Sequence, residues 1–154
     1  MKADKELGPD LDFLRELWAL ERALQKGSKR MERTLGVTGP ERLALRLIDH
    51  YPGLPAGRLA RLLRVHPSTV AGLLRRLTDR GLISRSDDGT HRRRAQYRIT
   101  GGGLDLLAQP MPTIESAVMR TLQGLSTQRV GMALRLLASL AVRIELPDAG
   151  PPWP

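Results

Sequence analysis

The chain has 154 residues, with 25 lysines and arginines against 16 aspartates and glutamates, which gives a formal net charge of +9. It contains no cysteine, so disulfides, cysteine-ligated zinc and thiol chemistry are excluded. The mixed-charge lead Met1–Glu6 precedes no apolar segment, and no run approaches the roughly 18 apolar residues of a membrane span. We expect a cytoplasmic protein without a membrane partner, built as one domain or as a small domain with helical extensions.

The positive charge is concentrated in the middle of the chain. Residues 58–98 hold 11 arginines and three aspartates, a net charge of +8, whereas residues 1–57 carry +1 and residues 99–154 are neutral. The planar guanidinium of arginine matches phosphates and guanine edges through paired hydrogen bonds. This distribution favours an anionic partner, with nucleic acid ahead of a membrane surface, over a face that is merely well solvated.

Two helices are predicted at the start of the chain. The first opens at Gly8-Pro9-Asp10 and runs to about Leu35, with apolar residues spaced by three, four and seven, and Gly36 ends it. Thr38-Gly39-Pro40-Glu41 is a capping box with proline in the first turn, so it predicts a second helix from Pro40 to about His50. The residues expected on the buried side of this helix are Leu43, Leu47 and Ile48. Residues 51–55 are predicted to form a turn.

A helix-turn-helix follows in the basic segment. A short helix over 58–63, expected to point Leu59, Leu62 and Leu63 inward, precedes a second helix that starts at Pro67 and stops at Gly81. An apolar face of Val70, Leu73, Leu74 and Leu77 would hold this second helix to the core. Its polar face would enter the DNA major groove, and its first-turn amides would meet phosphate. The candidate DNA-binding residues here are His66, Ser68, Thr69, Gly72, Arg75 and Arg76; an ordinary solvated face is the alternative.

A basic hairpin is predicted beside this helix. Residues 82–85 and 95–99 can form two strands, joined by a turn at Asp87-Asp88-Gly89-Thr90. Arg92, Arg93 and Arg94 at its tip are candidates for binding the minor groove or the DNA backbone. Because side chains alternate along a strand, the three arginines cannot all point the same way. An exposed turn that only adds solubility is the alternative.

The last third of the chain is predicted to be helical. Thr100 caps a helix in spite of Gly101, Gly102 and Gly103, which are poor helix formers, and Pro110 and Pro112 end it. Helix resumes near Thr113, and Ser126 caps a final helix. The apolar stripe of that helix consists of Val130, Leu134, Leu137, Leu140, Ala141 and Ile144.

The apolar stripes of the first and last helices need a cover, which a second copy of the chain would provide. Two intertwined copies would hold two recognition helices about one DNA turn, roughly 34 Å, apart on a pseudo-palindromic site. A monomer with its terminal helices folded back is the alternative. We therefore divide the chain into an N-terminal dimerisation helix (1–37), a DNA-binding domain (38–100), C-terminal dimerisation helices (101–146) and a flexible tail (147–154).

The segment from His66 to Arg85, the basic hairpin and Ile99-Thr100-Gly101-Gly102-Gly103 together resemble the MarR family of winged helix-turn-helix transcriptional regulators. The resemblance covers about residues 35–107 and implies a mainly α fold with a small β-hairpin wing (α+β) and a DNA-binding homodimer. The family's wing commonly carries Asp-x-Arg, and here His91 stands at the aspartate position while Arg93 keeps the arginine. The resemblance also implies a small aromatic or phenolic effector, with Trp18, His50 and Tyr51 as candidate contacts; packing is the alternative role for each.

No enzymatic constellation is present in the sequence. His50, His66 and His91 are far apart, and no phosphate-binding glycine motif extends Gly101-Gly102-Gly103. We expect no catalytic residues, no metal and no cofactor. The predicted function is a sequence-specific double-stranded DNA-binding transcriptional regulator that acts as a repressor; a sequence-independent architectural DNA-binding protein is the alternative.

Overall fold

The computed structural model describes residues 8–87 and 95–145. Within them it contains seven helices and three short strands. Their bounds are α1 Pro9–Leu35, α2 Gly39–His50, β1 Leu54–Pro55, α3 Ala56–Leu63, α4 Pro67–Asp79, β2 Ile83–Asp87, β3 Ala95–Ile99, α5 Gly101–Ala108, α6 Ile114–Leu122 and α7 Thr127–Glu145. The chain divides into two compact units, Met1–Ile114 and Glu115–Pro154. The predicted mainly helical fold with a small wing is confirmed.

The junction between α1 and α2 is built by two local signals. Gly36 adopts a left-handed conformation (φ 73°) that ends α1, as the sequence predicts. The Thr38 hydroxyl accepts from the Glu41 amide at 3.3 Å, and the Glu41 carboxylate accepts from the Thr38 amide at 2.9 Å. This reciprocal capping box satisfies two backbone donors that would otherwise lack partners, so α2 begins where the sequence places it.

The core of the first unit is aliphatic. Helices α1 to α5 and the sheet contribute to it, and its fully buried side chains include Met31, Leu45, Ile48, Leu59 and Leu77. Two leucines depart from expectation: Leu43 is 47% exposed and Leu62 is 40% exposed, so neither belongs to the core. In α2, Ile48 is buried as predicted, and Ala44 and Leu45 are buried in place of Leu43 because the helix turns a neighbouring stripe toward the core.

The wing belongs to a three-stranded antiparallel sheet with the order β1-β3-β2. Residues 51–55 are not only a turn, because Leu54 pairs with Tyr97 and Pro55 with Gln96. Gly53, at φ 83°, makes the bend into β1 and donates its amide to the Tyr97 carbonyl at 3.1 Å. The wing strands β2 and β3 pair from Ile83 with Ile99 to Asp87 with Ala95. The additional strand therefore ties the base of the wing to the α2–α3 connection.

Helix α5 is fixed between the wing and α2. Its N-cap is Thr100, whose hydroxyl accepts from the Gly103 amide at 3.2 Å and donates to the Gly81 carbonyl at 2.6 Å. At its other end the buried Arg42 side chain donates to the carbonyls of Leu106 and Leu107, each at 3.0 Å. An arginine at a helix C-terminus meets both the unpaired carbonyls and the negative end of the helix dipole.

The second unit contains α6 from Glu115 onward and the whole of α7. The Ser126 hydroxyl accepts from the Arg129 amide at 3.3 Å, as expected of the cap of the last helix. Neither α6 nor α7 has a buried residue, although α7 is 19 residues long. No helix within the described ranges has the length and apolar character needed to cross a membrane.

Candidate nucleic-acid interface

The two helices of the helix-turn-helix, α3 and α4, are connected by a strained turn. Arg64 ends α3 in the left-handed region (φ 55°, ψ 45°), and it is the one non-glycine residue with positive φ among the described residues. The next amide, that of Val65, donates to the Ala60 carbonyl at 3.1 Å. This turn redirects the chain over three residues so that α4 can begin at Pro67.

His66 is the N-cap of the recognition helix α4. Its Nδ1 accepts from the Ser68 amide at 3.2 Å and lies 2.7 Å from the Ser68 hydroxyl. The Thr69 amide donates to the His66 carbonyl at 3.0 Å, and Pro67 has no amide hydrogen. The backbone amides of Ser68 and Thr69 therefore already have acceptors within the chain, and Pro67 has no amide hydrogen to offer. The expectation that the first-turn amides would meet phosphate is not supported. The start of the helix therefore presents side chains, and not free amides, to a partner.

The recognition helix has the two faces that the sequence predicts. Val70, Leu73, Leu74 and Leu77 are all buried, and Ser68, Thr69 and Arg75 are exposed. With about 100° between successive residues, Ser68, Gly72, Arg75 and Asp79 lie near the centre of the outward face. A Cβ atom added at Gly72 would come no closer than 3.6 Å to any other residue, its neighbour being Nη1 of Arg76. The helix therefore offers two hydroxyls and one central guanidinium from a rigidly held surface.

Arg76 lies at the edge of this face and has a protein partner. Its Nε donates to Oε1 of Glu41 at 2.7 Å, although the Arg76 side chain remains 58% exposed. The Glu41 side chain is only 6% exposed. Burial by itself raises the pKa of Glu41, but the hydrogen bond from Arg76, that from the Thr38 amide and the charge of Arg76 outweigh it and lower the pKa below 4.5.

Arg80, at the C-terminal end of α4, makes a second contact with the same junction. Its Nη1 donates to the Gly36 carbonyl, which belongs to the C-cap of α1. Sequence reasoning missed Glu41 and Arg80 as parts of the site. The sequence carries one signal for Arg76: it lies about 100° around the helix from Arg75, so its side chain points to the edge of the outward face. No local sequence pattern identifies its partner Glu41, which is 35 residues away.

The described part of the wing carries two exposed arginines. Arg85 lies opposite Tyr97, and Arg98 lies opposite Ser84, so the two side chains start from opposite faces of the hairpin. The Nη2 atom of Arg85 lies 3.4 Å from Oδ1 of Asp87. The predicted residues Arg92, Arg93 and Arg94, and His91 with them, lie outside the described residues.

The candidate effector residues do not form one cluster within the chain. The rings of His50 and Tyr51 meet edge to face with centroids 4.5 Å apart, and the Arg58 guanidinium lies 4.7 Å from the Tyr51 ring centroid. Trp18 lies on α1, is 55% exposed and makes no ring contact with either of them. In the described part of the chain no three His, Asp or Glu side chains are placed to share a metal ion.

Two helices joined by a tight turn, a rigid recognition helix and an antiparallel wing define a winged helix-turn-helix protein. A sequence profile of the MarR family matches residues 35–94. An HTH-type transcriptional repressor of Mycobacterium tuberculosis is 30% identical over 106 residues, which are 69% of this chain and 76% of that protein. The chain belongs to the MarR family and is a transcriptional regulator, not an enzyme.

Solved structures share this fold. A Staphylococcus aureus MepR–DNA complex superimposes with a TM-score of 0.66 at 21% identity, over 87% of this chain and 97% of that MepR chain. The PcaV regulator of Streptomyces coelicolor, solved with its natural ligand, gives a TM-score of 0.63 at 22% identity, over 92% of this chain and 97% of PcaV. Both likenesses support the fold assignment.

Proposed function

We propose that this regulator binds double-stranded DNA sequence-specifically, as a homodimer, and represses transcription. The observation that carries the proposal is the outward face of α4, where Ser68, Thr69 and Arg75 are exposed on a helix anchored by four buried residues. That face lies in the 41-residue segment with a net charge of +8. Small hydroxyls permit close approach to a groove, and arginine is the side chain that pairs with guanine.

The roles follow from position. Ser68, Thr69, Gly72 and Arg75 would face base edges in the major groove, with the exposed His66 ring beside them. Arg92, Arg93 and Arg94, which the sequence predicts at the wing tip, would bind the minor groove or the backbone, and the exposed Arg85 and Arg98 of the wing strands would add to the positive field. The MepR–DNA complex, whose fold this chain shares, supports DNA as the partner.

The homodimer is supported by apolar surface that the single chain leaves uncovered. The exposed large apolar residues of the terminal helices are Leu11, Phe13, Leu14, Trp18, Leu20 and Leu24 in α1, Val118, Met119 and Leu122 in α6, and Met132, Leu134, Leu136, Leu137, Val142 and Ile144 in α7. A 19-residue helix without buried residues gains little from propensity alone. A second copy would cover these stripes and repeat the DNA contact at a two-fold related half-site, giving a pseudo-palindromic operator.

An effector would act on this dimer. PcaV was solved with its natural ligand, which supports a small-molecule ligand in this chain as well. Tyr51, with His50 at its edge and Arg58 over its ring, is a contact point suited to an aromatic anion. Trp18 would join it only through a partner subunit or a rearrangement, since the chain itself does not bring them together. Fluorescence of Trp18 on titration with phenolic carboxylates tests this part of the proposal.

The test of function begins with selection of a preferred duplex from a randomised pool by the full-length protein. Fluorescence anisotropy then compares the selected duplex with a shuffled one across a salt series. A regulator should prefer the selected duplex by at least about 10³. Equal, salt-sensitive binding to both would instead favour the architectural alternative.

Arg75→Ala separates base reading from phosphate binding. If Arg75 contacts a guanine edge, the variant should lose about 1–3 kcal/mol of binding free energy on the selected duplex, with specificity relaxed at one position. Arg30→Ala removes an exposed arginine from α1, outside the basic segment, and serves as the control. A uniform loss on selected and shuffled duplexes alike would assign Arg75 to a phosphate.

A further inference from the structure

The back edge of the recognition helix is attached to the α1–α2 junction at two points. Arg76 Nε donates to the Glu41 carboxylate at 2.7 Å, and Arg80 donates to the Gly36 carbonyl. The two arginines are four residues apart, so they lie one above the other on α4. Their two acceptors lie five residues apart, one at the C-cap of α1 and the other in the first turn of α2.

Glu41 is the centre of this attachment. One carboxylate oxygen, Oε2, accepts from the Thr38 amide and closes the capping box of α2, while Oε1 accepts from Arg76. The side chain is nearly buried, so its geometry is set by the helix start and not by solvent. A hydrogen bond between an ionised acceptor so placed and a guanidinium is among the strong polar contacts in proteins.

We propose that Arg76 and Arg80 are positioning residues for DNA recognition, which set the orientation of α4 against the α1–α2 junction through Glu41 and Gly36. Arg76 then acts on DNA through the placement of Ser68, Thr69 and Arg75. This inference rests on the proposed DNA-binding function. It opposes the simpler assignment of Arg76 as a direct DNA contact, and the two assignments predict opposite effects for one substitution.

Glu41→Gln is that substitution. Glutamine can still close the capping box, because its carbonyl oxygen can accept from the Thr38 amide, but it removes the charge that holds Arg76. If Arg76 contacts DNA, losing a nearby negative charge and freeing the guanidinium should leave binding equal or tighter. If Arg76 positions the helix, affinity for the selected duplex should fall roughly tenfold, the lower range for a hydrogen bond to a charged group.

The control is Asp49→Asn. It removes one negative charge from the same helix at an exposed position outside the junction, so it reports the effect of net charge alone. Affinity for the shuffled duplex is measured in parallel. Partial unfolding would lower binding to both duplexes by the same factor, whereas misorientation of α4 lowers the ratio of specific to non-specific affinity.

A double-mutant cycle completes the test. Glu41→Gln, Arg76→Gln and the double variant should have the same affinity for the selected duplex, because each breaks the same contact. The salt dependence of binding should remain that of the wild type in Arg76→Gln, whereas a lost phosphate contact would reduce the salt slope by about 1. Additive losses, or wild-type affinity in Glu41→Gln, would overturn the inference.

Failure of the proposed function is distinguishable from failure of this inference. A wild-type protein that selects no preferred duplex contradicts the function itself. A wild type that selects one, combined with a Glu41→Gln variant that binds it equally well, contradicts only the positioning role. Arg80→Gln provides a second route if Arg76→Gln fails to fold, and it should lower the same affinity ratio.

Discussion

Three consecutive glycines at the start of α5 have different surroundings. A Cβ atom at Gly103 would lie 2.3 Å from the Leu82 carbonyl oxygen and 2.6 Å from a side-chain carbon of Ile99. At Gly101 the same atom would meet nothing within 4 Å. The close approach of α5 to the wing thus requires glycine at one of these positions and not at the other.

We expect Gly103→Ala to lower the free energy of unfolding by about 2 kcal/mol, because the backbone at Leu82 and the half-buried Ile99 side chain must both shift to admit the methyl group. Gly101→Ala is the matched control and should raise stability by about 0.5 kcal/mol, since alanine loses less conformational entropy in a helix. Urea denaturation of both variants measures the difference. Equal stabilities would contradict the packing described here.

Glu41 makes the free energy of unfolding depend on pH in the acidic range. Its lowered pKa means that the folded state favours the ionised carboxylate more than the unfolded state does. The contribution is therefore fully present above the ordinary glutamate pKa and is lost as the pH falls through the lower, folded value. Urea denaturation of wild type and Glu41→Gln between pH 7 and pH 3 should give stability curves that converge in acid. Curves that stay parallel would mean that the ion pair adds nothing.

At the scale of elements, α5 is held by a buried charge. Arg42 supplies donors to the last carbonyls of α5 from within the core, and Arg46, one turn later in α2, is exposed and approaches the Leu107 carbonyl at 3.5 Å. The two arginines thus contact the same helix end with very different burial, which makes them a matched pair for substitution.

Arg42→Met should lower the free energy of unfolding by about 2 kcal/mol, because it removes a buried charged donor from the carbonyls of Leu106 and Leu107. Arg46→Met should change it by less than about 1 kcal/mol, as expected of an exposed side chain. Thermal and urea unfolding of both variants test the comparison. Similar losses in the two would show that burial is not what distinguishes them.

Local signals predicted most elements. The capping box at Thr38, the glycine ends at Gly36 and Gly81 and the four-residue apolar face of α4 each act within a few residues of chain, so the sequence displays them directly. The strand at Leu54 was missed because it is two residues long and pairs with Tyr97, 43 residues later. Likewise the partner of Arg76 is distant in sequence, and tertiary packing alone selects it.

In the short, leucine-rich helices α2 and α3, some residues that the sequence predicted to be buried are exposed. Leu43 and Leu62 lie within three residues of the buried leucines Leu45 and Leu59, and periodicity alone does not decide which stripe of such a helix turns inward. The structure turns Ala44 and Leu45 inward in α2 and leaves Leu43 exposed. The candidate site on α4 was predictable because polar and apolar residues there are cleanly separated.

At the scale of the whole molecule, the terminal helices α1, α6 and α7 expose stripes of large apolar side chains, a feature that commonly marks an interaction surface. Leu134, in the middle of the α7 stripe, is 63% exposed. Leu43 on α2 is 47% exposed and lies outside the segments predicted to form the dimer. The two leucines permit a comparison of apolar surface inside and outside the proposed dimer interface.

Leu134→Asp should convert the protein from a species of about twice 17.1 kDa to one of 17.1 kDa, since an aspartate in an apolar dimer interface is buried without a partner. Leu43→Asp should leave the mass of the dimer unchanged. Sedimentation velocity at micromolar concentration measures both. A wild type that sediments at 17.1 kDa would exclude the homodimer at that concentration.

The length of α1 adds a mechanical consequence. Its residues Gly27, Met31 and Leu35 are buried, whereas none of the 18 residues from Pro9 to Lys26 is, so a lever arm of about 27 Å extends from a short seated base. A tilt of about 5° at Gly27 would move Pro9 by roughly 2 Å and the Gly36 carbonyl by roughly 1 Å in the opposite direction. A displacement of about 1 Å exceeds the normal spread of hydrogen-bond lengths, so movement at the far tip of α1 would alter the contact between Gly36 and Arg80.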